Sequence, residues 1–328
     1  MAGIAGYSLA KGQTDMGRRE IKNISIIGSG MMGHGIAQVF AGRNYNVTLL
    51  DVQENLLSKA IENVRSNLAF LAQRGMGKKK EIEPILRRIK TTLDLKEAVS
   101  EAQFVIEAVS ENLALKQKIF QDLDALSPPE IILATNTSVI SITEIAKNAR
   151  LRERIVGTHF WFPPYLIPLV EVVKGKDTSD ETMEQTYQLM KGAGKHPIKC
   201  MKDVPGFVAN RLQHALWREA ISIVEHGIAD ASTVDEAIKN SIGIRLAVLG
   251  PIENADMVGL DLTLAIHNTV LKDLEASPGP SLLLKEKVNK GDLGFKSGRG
   301  FYDQWTPEAM KQVRENLLNY LIDYSTKK

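Results

Sequence analysis

A chain of 328 residues, 44% apolar and 24% charged, is long enough for about two folded domains with sizeable cores. A formal charge of +2 is near neutral for this size, and nothing in it asks for nucleic acid, whose binding needs a concentrated basic face. No apolar run reaches the roughly 18 residues that would span a membrane. The single cysteine, Cys200, excludes an internal disulfide, suits a reducing, cytoplasmic compartment, and reads as a small buried residue.

Residues 1–20 lack the apolar core of a secretory signal. They mix Lys11, Arg18 and Arg19 with Asp15 and Glu20, and read as a flexible or tag-like extension rather than a transit peptide. From Ile21 short apolar runs alternate with longer amphipathic stretches. The pattern predicts a strand over 24–27, a helix over 31–42, a strand over 47–51 and a long helix over 55–73. A further helical stretch covers 81–89, and strands over 104–108 and 131–135 flank a helix over 115–126. Buried strands alternating with helices imply an α/β fold with a doubly wound, parallel sheet. Two more strands, over 155–160 and 169–173, stand on either side of Phe162-Pro163-Pro164-Tyr165, where the proline pair makes a turn. The basic runs Gly77-Lys78-Lys79-Lys80 and Arg87-Arg88 read as a solvated face or as neighbours of an anionic substrate.

The texture changes near Asp203-Val204-Pro205-Gly206. Beyond it there is no strand run. Helical spacing covers 207–225, 233–239, 262–274 and 307–324, the last with Thr306 as N-cap and Pro307 at its first position. The expected organisation is an extension over 1–20, a Rossmann-type domain over 21–203 and an all-helical domain over 204–328.

The segment Gly28-Ser29-Gly30-Met31-Met32-Gly33 carries G-x-G-x-x-G between a predicted strand and a helix, and Asp51 ends the next strand 18 residues after Gly33. That combination is a dinucleotide fingerprint. Gly28 allows the tight turn, Gly30 lets the backbone approach a pyrophosphate at the helix N-terminus, and Gly33 permits close helix–strand packing. Asp51 can accept from a ribose diol and would repel a 2′-phosphate, which favours NAD over NADP. The alternative is a glycine turn with no ligand.

His159 ends one strand and Glu171 lies in the next, across the proline turn. A glutamate on one imidazole nitrogen would orient the ring and stabilise the imidazolium formed when the other takes a proton. Oxidation of an alcohol needs such a base while carbon loses hydride. A charge inside the apolar run Leu169-Val170-Glu171-Val172 is costly unless paired. The alternative is a structurally tied histidine and an unrelated edge-strand glutamate. Asn136-Thr137-Ser138 follows a strand's carboxyl end, where doubly wound folds place ligands, although it could also be a polar turn with a cap at Ser141 or Thr143. The remaining histidines are scattered, none at a ligand spacing, so no metal site is expected.

With these residues assembled, the chain resembles the 3-hydroxyacyl-CoA dehydrogenase family from about Lys22 to Asp303. The motifs that carry the resemblance occur in order. They are Gly28 to Gly33, Asp51, Ile106-Glu107-Ala108, Glu111-Asn112, Asn136-Thr137-Ser138, His159 to Glu171, Pro205-Gly206-Phe207-Val208-Ala209-Asn210-Arg211, and Gly294-Phe295-Lys296-Ser297-Gly298-Arg299-Gly300-Phe301-Tyr302. The resemblance implies that His159 is the base and Glu171 its partner. It puts Ser138 and Asn210 at the substrate's reacting oxygen or thioester region. It puts Glu111, Lys116, Ser138 and Lys296 along the nicotinamide half of NAD, and it implies a homodimer formed through the helical domain.

Two departures stand out. The family pattern has Asn three residues after the histidine, where this chain has Phe162. CoA-binding members place Ser and Lys on the long helix after the second strand, and a gapless count from Asp51 puts Asn67 and Arg74 there. Arg74 keeps the charge for substrate binding. Pro163-Pro164-Tyr165-Leu166-Ile167-Pro168 is similar to a branch acting on small free 3-hydroxy acids, including gulonate and carnitine dehydrogenases and a related lens crystallin, and Lys296 to Tyr302 leans back to the acyl-CoA branch. The implied activity is NAD-dependent interconversion of an L-3-hydroxyacyl-CoA and the 3-ketoacyl-CoA. The alternatives are the same chemistry on a free 3-hydroxy acid, or a non-catalytic NAD-binding protein.

Overall fold

The computed structural model describes residues 20–326, so the expected N-terminal extension lies, apart from Glu20, outside the described residues. The chain falls into two compact units. One takes the chain to Thr137 and then Ile142–Met201; the other takes Ser138–Ser141 and everything from Lys202 on.

The first unit alternates strands and helices. In order these are β1 (Asn23–Ile27), α1 (Met31–Ala41), β2 (Asn46–Leu50), α2 (Glu54–Gln73), α3 (Ile82–Leu86), β3 (Ile89–Thr92), α4 (Leu95–Ser100), β4 (Phe104–Glu107), α5 (Leu113–Leu126), β5 (Ile132–Thr135), α6 (Ile142–Ile145), β6 (Ile155–Phe160), β7 (Leu169–Val173), α7 (Asp180–Gly192) and β8 (His196–Cys200). The eight strands form one sheet in the order β3-β2-β1-β4-β5-β6-β7-β8. All neighbours are parallel except β6 and β7, so β7 and β8 run against the first six. The order reverses between β1 and β4, and the crevice at such a switch point is where doubly wound sheets hold ligands.

The central strands read as unbroken apolar runs because both faces are covered: Phe104, Val105 and Ile106 have no exposed surface. Their inner faces join Phe40, Leu49, Phe160, Val172 and Met190 in one core. Each such side chain contributes about 1.5–3 kcal/mol on burial. Both edge strands escape the periodicity. The expected helix over 81–89 ends at Leu86, and Ile89-Lys90-Thr91-Thr92 instead pairs with β2, Ile89 opposite Val47. Only Ile89 in that strand is apolar, so neighbour pairing, not pattern, makes it a strand. At the other edge, β8 contains Pro197, which an edge strand tolerates. Helix α7 lies outside the expected elements, and Ser179 caps it by accepting from the Thr182 amide.

The second unit is helical: α8 (Ala209–Glu225), α9 (Ala231–Lys239), α10 (Ile242–Arg245), α11 (Pro251–Val258), α12 (Leu260–Val270), α13 (Leu282–Asn289) and α14 (Pro307–Thr326). Thr306 accepts from the Ala309 amide, the expected cap of α14. Beyond Cys200 the described residues hold only an isolated bridge between Gly294 and Arg299, and no helix among them is long and apolar enough to cross a membrane.

Candidate active site

At the end of β1 the chain turns sharply. Gly28 has φ +102°, and a Cβ there would lie 2.9 Å from the carbonyl of Ala108. A Cβ on Gly33 would stand 1.8 Å from the Gly28 oxygen, so α1 can leave the turn this closely only with glycine at that position. Gly30 is the N-cap of α1, and a Cβ on it would meet nothing within 4 Å. Open space therefore faces the unpaired amides and positive dipole end of the helix. Met31 borders it, 64% exposed, while Met32 packs against the core.

Asp51 stands just past β2. Its Oδ2 accepts from the Ser29 amide at 2.8 Å and the Ser29 hydroxyl at 2.6 Å, and its Oδ1 from the Val52 amide at 2.7 Å. A carboxylate offers about four acceptor positions, which leaves capacity for a ribose hydroxyl. Glycine turn, helix end and fixed carboxylate together fit a dinucleotide, with the pyrophosphate on the helix amides and the ribose on Asp51.

The next strand ends carry a buried ion network. Lys116 has no exposed surface, and its ammonium donates to Glu107 Oε1 at 2.6 Å and lies 3.5 Å from Glu111 Oε2. Glu107 also accepts from the Val109 amide and the Thr135 hydroxyl, both at 2.7 Å. Thr137 Oγ1 donates to Glu111 Oε1 at 2.5 Å. Lys116 thus shows no surface to a ligand, whereas the Glu111 side chain is 36% exposed.

Antiparallel pairing sets His159 directly opposite Glu171. Directly opposite residues share a face of the sheet, and the partners meet: His159 Nδ1 lies 2.7 Å from Glu171 Oε2. Glu171 is wholly buried and His159 is 4% exposed. Two side chains that the motifs did not single out face the same carboxylate. The indole Nε1 of Trp161 donates to Oε2 at 3.3 Å, and Cys200 Sγ approaches Oε1 at 3.8 Å. The Asn136 side chain accepts from the Phe160 amide at 2.9 Å, tying the end of β5 to β6. Phe162 is 58% exposed.

Below the proline turn, Lys195 donates to the carbonyls of Pro164 at 2.6 Å and Ile167 at 2.5 Å. Burial, helped by the Arg43 charge, lowers its pKa to about 8. Asn67 takes part in the fold: Tyr165 donates to its oxygen at 3.2 Å and its amide donates to Gln38 at 3.1 Å. Arg74 is exposed just past α2, its guanidinium 5.2 Å from the Phe70 ring.

In the helical unit, Asn210 lies in the first turn of α8 and is 8% exposed; its amide donates to the Ser138 carbonyl at 3.2 Å. The Ser141 hydroxyl donates to Asp203 at 2.6 Å, and Thr143, in the first unit, accepts from the Lys176 amide at 3.0 Å. Lys296 is exposed in a turn closed by the Gly294 amide and the Arg299 carbonyl, 2.6 Å apart. No cluster of metal-ligating side chains occurs among the described residues.

Two family models match the chain: the 3-hydroxyacyl-CoA dehydrogenase NAD binding domain over residues 23–204 and the C-terminal domain of the same family over 206–304. A probable 3-hydroxybutyryl-CoA dehydrogenase of Bacillus subtilis is 39% identical over 285 residues, which is 87% of this chain and 98% of that protein. The 5-formyl-3-hydroxy-2-methylpyridine 4-carboxylate 5-dehydrogenase of Mesorhizobium japonicum is 34% identical, covering 92% of this chain and 96% of that one. A crystal structure of the dehydrogenase acting on that pyridine acid, described as an NAD+ dependent dismutase, superposes with TM-score 0.85 at 32% identity, over 93% of this chain and 98% of that one. The (S)-3-hydroxybutyryl-CoA dehydrogenase of Ralstonia eutropha superposes with TM-score 0.74 at 36% identity, over 88% and 100%.

Proposed function

This chain belongs to the 3-hydroxyacyl-CoA dehydrogenase family, is an NAD-dependent oxidoreductase acting on a CH–OH group, and from that premise we propose that it interconverts an L-3-hydroxyacyl-CoA and the 3-ketoacyl-CoA. The observation that carries the proposal is the buried His159–Glu171 pair, 2.7 Å apart. A carboxylate oxygen only accepts, so Nδ1 carries the hydrogen and Nε2 takes the proton of the substrate's 3-hydroxyl. Glu171 holds the ring and stabilises the imidazolium that results. NAD, when bound, supplies the hydride acceptor. In the reverse direction His159 returns its proton to the forming alkoxide.

Around that step the other residues hold and orient. Asp51 takes the ribose, and the turn from Gly28 through Gly30, Met31 and Met32 to Gly33 takes the pyrophosphate. Glu111 presents its carboxylate to the nicotinamide half, with Lys116 buried behind it as its support. Ser138 and Asn210, hydrogen-bonded to each other, take the substrate's reacting oxygen, and Lys296 extends the cofactor side. Arg74 is the cation for an acyl-CoA phosphate. The reading also makes the enzyme a cytoplasmic homodimer.

One observation favours a second reading, a free 3-hydroxy acid as substrate. Asn67 stands where the family's CoA-binding serine is counted and spends its side chain on Tyr165 and Gln38. The relative superposing at TM-score 0.85 is described as a dehydrogenase of a pyridine carboxylic acid. NADH production with 3-hydroxybutyryl-CoA, 3-hydroxybutyrate, carnitine and gulonate separates the two, and turnover of the acids alone defeats the CoA reading. His159→Ala must cut kcat by about 10²–10⁴-fold with NAD affinity unchanged. Undiminished turnover removes His159 as base. Tight NAD binding with no turnover of any of the four substrates would favour a non-catalytic protein.

A further inference from the structure

We propose that Trp161 is a positioning residue for the base: its indole N–H shares the Glu171 oxygen that holds His159 and so sets how strongly His159 binds a proton. The inference rests on His159 being the base.

The placement follows from the strand. His159 is the last residue but one of β6 and Trp161 stands one residue past its end, and side chains two apart in extended chain stand on one face. Glu171 lies across from His159, so both rings come down on the same carboxylate. Oε2 accepts from His159 Nδ1 at 2.7 Å and from Trp161 Nε1 at 3.3 Å. The ring centroids are 5.4 Å apart and tilted by 55°, so the indole also limits how far the imidazole can swing. Glu171 is 0% exposed, and away from water a donor to a carboxylate counts for more than in solvent.

The direction follows from charge. A carboxylate that already accepts from one donor has less negative charge for the next, so it stabilises an imidazolium less. Trp161 therefore keeps His159 a weaker base than Glu171 alone would make it. Other side chains stand on or over that face. Cys200 approaches Oε1 from β8, and His196 lies on the same face of that strand at its exposed start. Helix α6 covers the face with Ile142 against Gly157, while its Glu144 is exposed and pairs with Lys147. A phenylalanine at 161 keeps a ring and removes the donor.

The test is an NMR titration of the His159 ring in full-length protein carrying ring-labelled histidine, assigned with H159Q. Wild type is compared with W161F and with a protein carrying benzothienylalanine at 161, which keeps the indole's shape and replaces N–H by sulfur. The His159 pKa should rise by about 0.5–1 unit in both. A rise in W161F alone assigns the effect to packing or hydration and overturns the proposal, as does no change or a fall in both. If W161F does not fold, the isosteric variant decides alone. The acid limb of the kcat/KM profile should move by the same amount with the KM for NAD unchanged. A ring that shifts without moving that limb leaves the contact standing and instead defeats His159 as the base.

Discussion

Single side chains in this fold carry separable tasks. Asp51 has both oxygens fixed by backbone and hydroxyl donors, so its charge stands in one place beside the glycine turn. On the proposed reading, Asp51→Ala removes the ribose acceptor and the repulsion toward a 2′-phosphate together. The KM for NAD should rise about tenfold or more, the worth of a hydrogen bond to a charged group, and the NADP/NAD preference should climb. An unchanged preference in steady-state kinetics would mean that another residue reads the ribose. Lys116 tests a different effect, since removing one partner of a buried pair leaves a buried charge uncompensated. Lys116→Met leaves Glu107 with only the Val109 amide and Thr135 hydroxyl. The variant should lose about 3–5 kcal/mol in chemical denaturation, with much of it restored by adding Glu107→Leu. Equal stability of Lys116→Met and wild type would show that the pair is hydrated in solution.

The β6–β7 element joins His159, Glu171 and the proline turn, and Lys195 fastens it from beneath. At neutral pH the ammonium holds the carbonyls of Pro164 and Ile167. Its pKa is about 8 in the fold against 10.5 unfolded, so between those values the unfolded chain binds more protons and stability rises with pH. That gain is fully present above pH 10.5 and is lost as pH falls through about 8. The difference in unfolding free energy between wild type and Lys195→Met should therefore grow in favour of wild type by about 3 kcal/mol from pH 7 to 10.5 in urea titrations. A difference flat with pH would mean that Lys195 keeps an ordinary pKa. The same element shows what the sequence makes legible. An apolar run with one carboxylate announces β7, and His159 at the end of a strand announces its partner. Lys195, Trp161 and Cys200 stay hidden because their meaning comes from strand register, a long-range property. β3 and β8 stay hidden for the same reason: edge strands are half exposed and carry little periodicity. The Glu107–Lys116 link is readable only as two charges near apolar runs, and which charge meets which is decided by the turn between β4 and α5.

Across the whole molecule, apolar surface is distributed unevenly. The sheet unit buries most of its large apolar side chains, whereas in the helical unit only Phe207, Val234 and Ile322 are buried apolar residues among those described. Helices α11 and α12 expose Ile252 at 76%, Met257 at 65%, Leu260 at 63%, Leu264 at 62% and Ile266 at 46%. Exposed apolar side chains concentrated on two consecutive helices are the kind of surface that marks a protein interface. A second copy is the expected partner, because an isologous contact needs only one such face on each subunit. Permanent homodimer interfaces are the more apolar class, which suits these side chains. Light scattering should then give twice the 36.2 kDa chain mass at micromolar concentration. Leu264→Asp places a charge in that face and should shift the equilibrium toward monomer by about two orders of magnitude or more in dissociation constant, the cost of an unpaired charge in a desolvated contact. Monomeric wild type at the same concentration would show instead that another partner, or no partner, covers these helices.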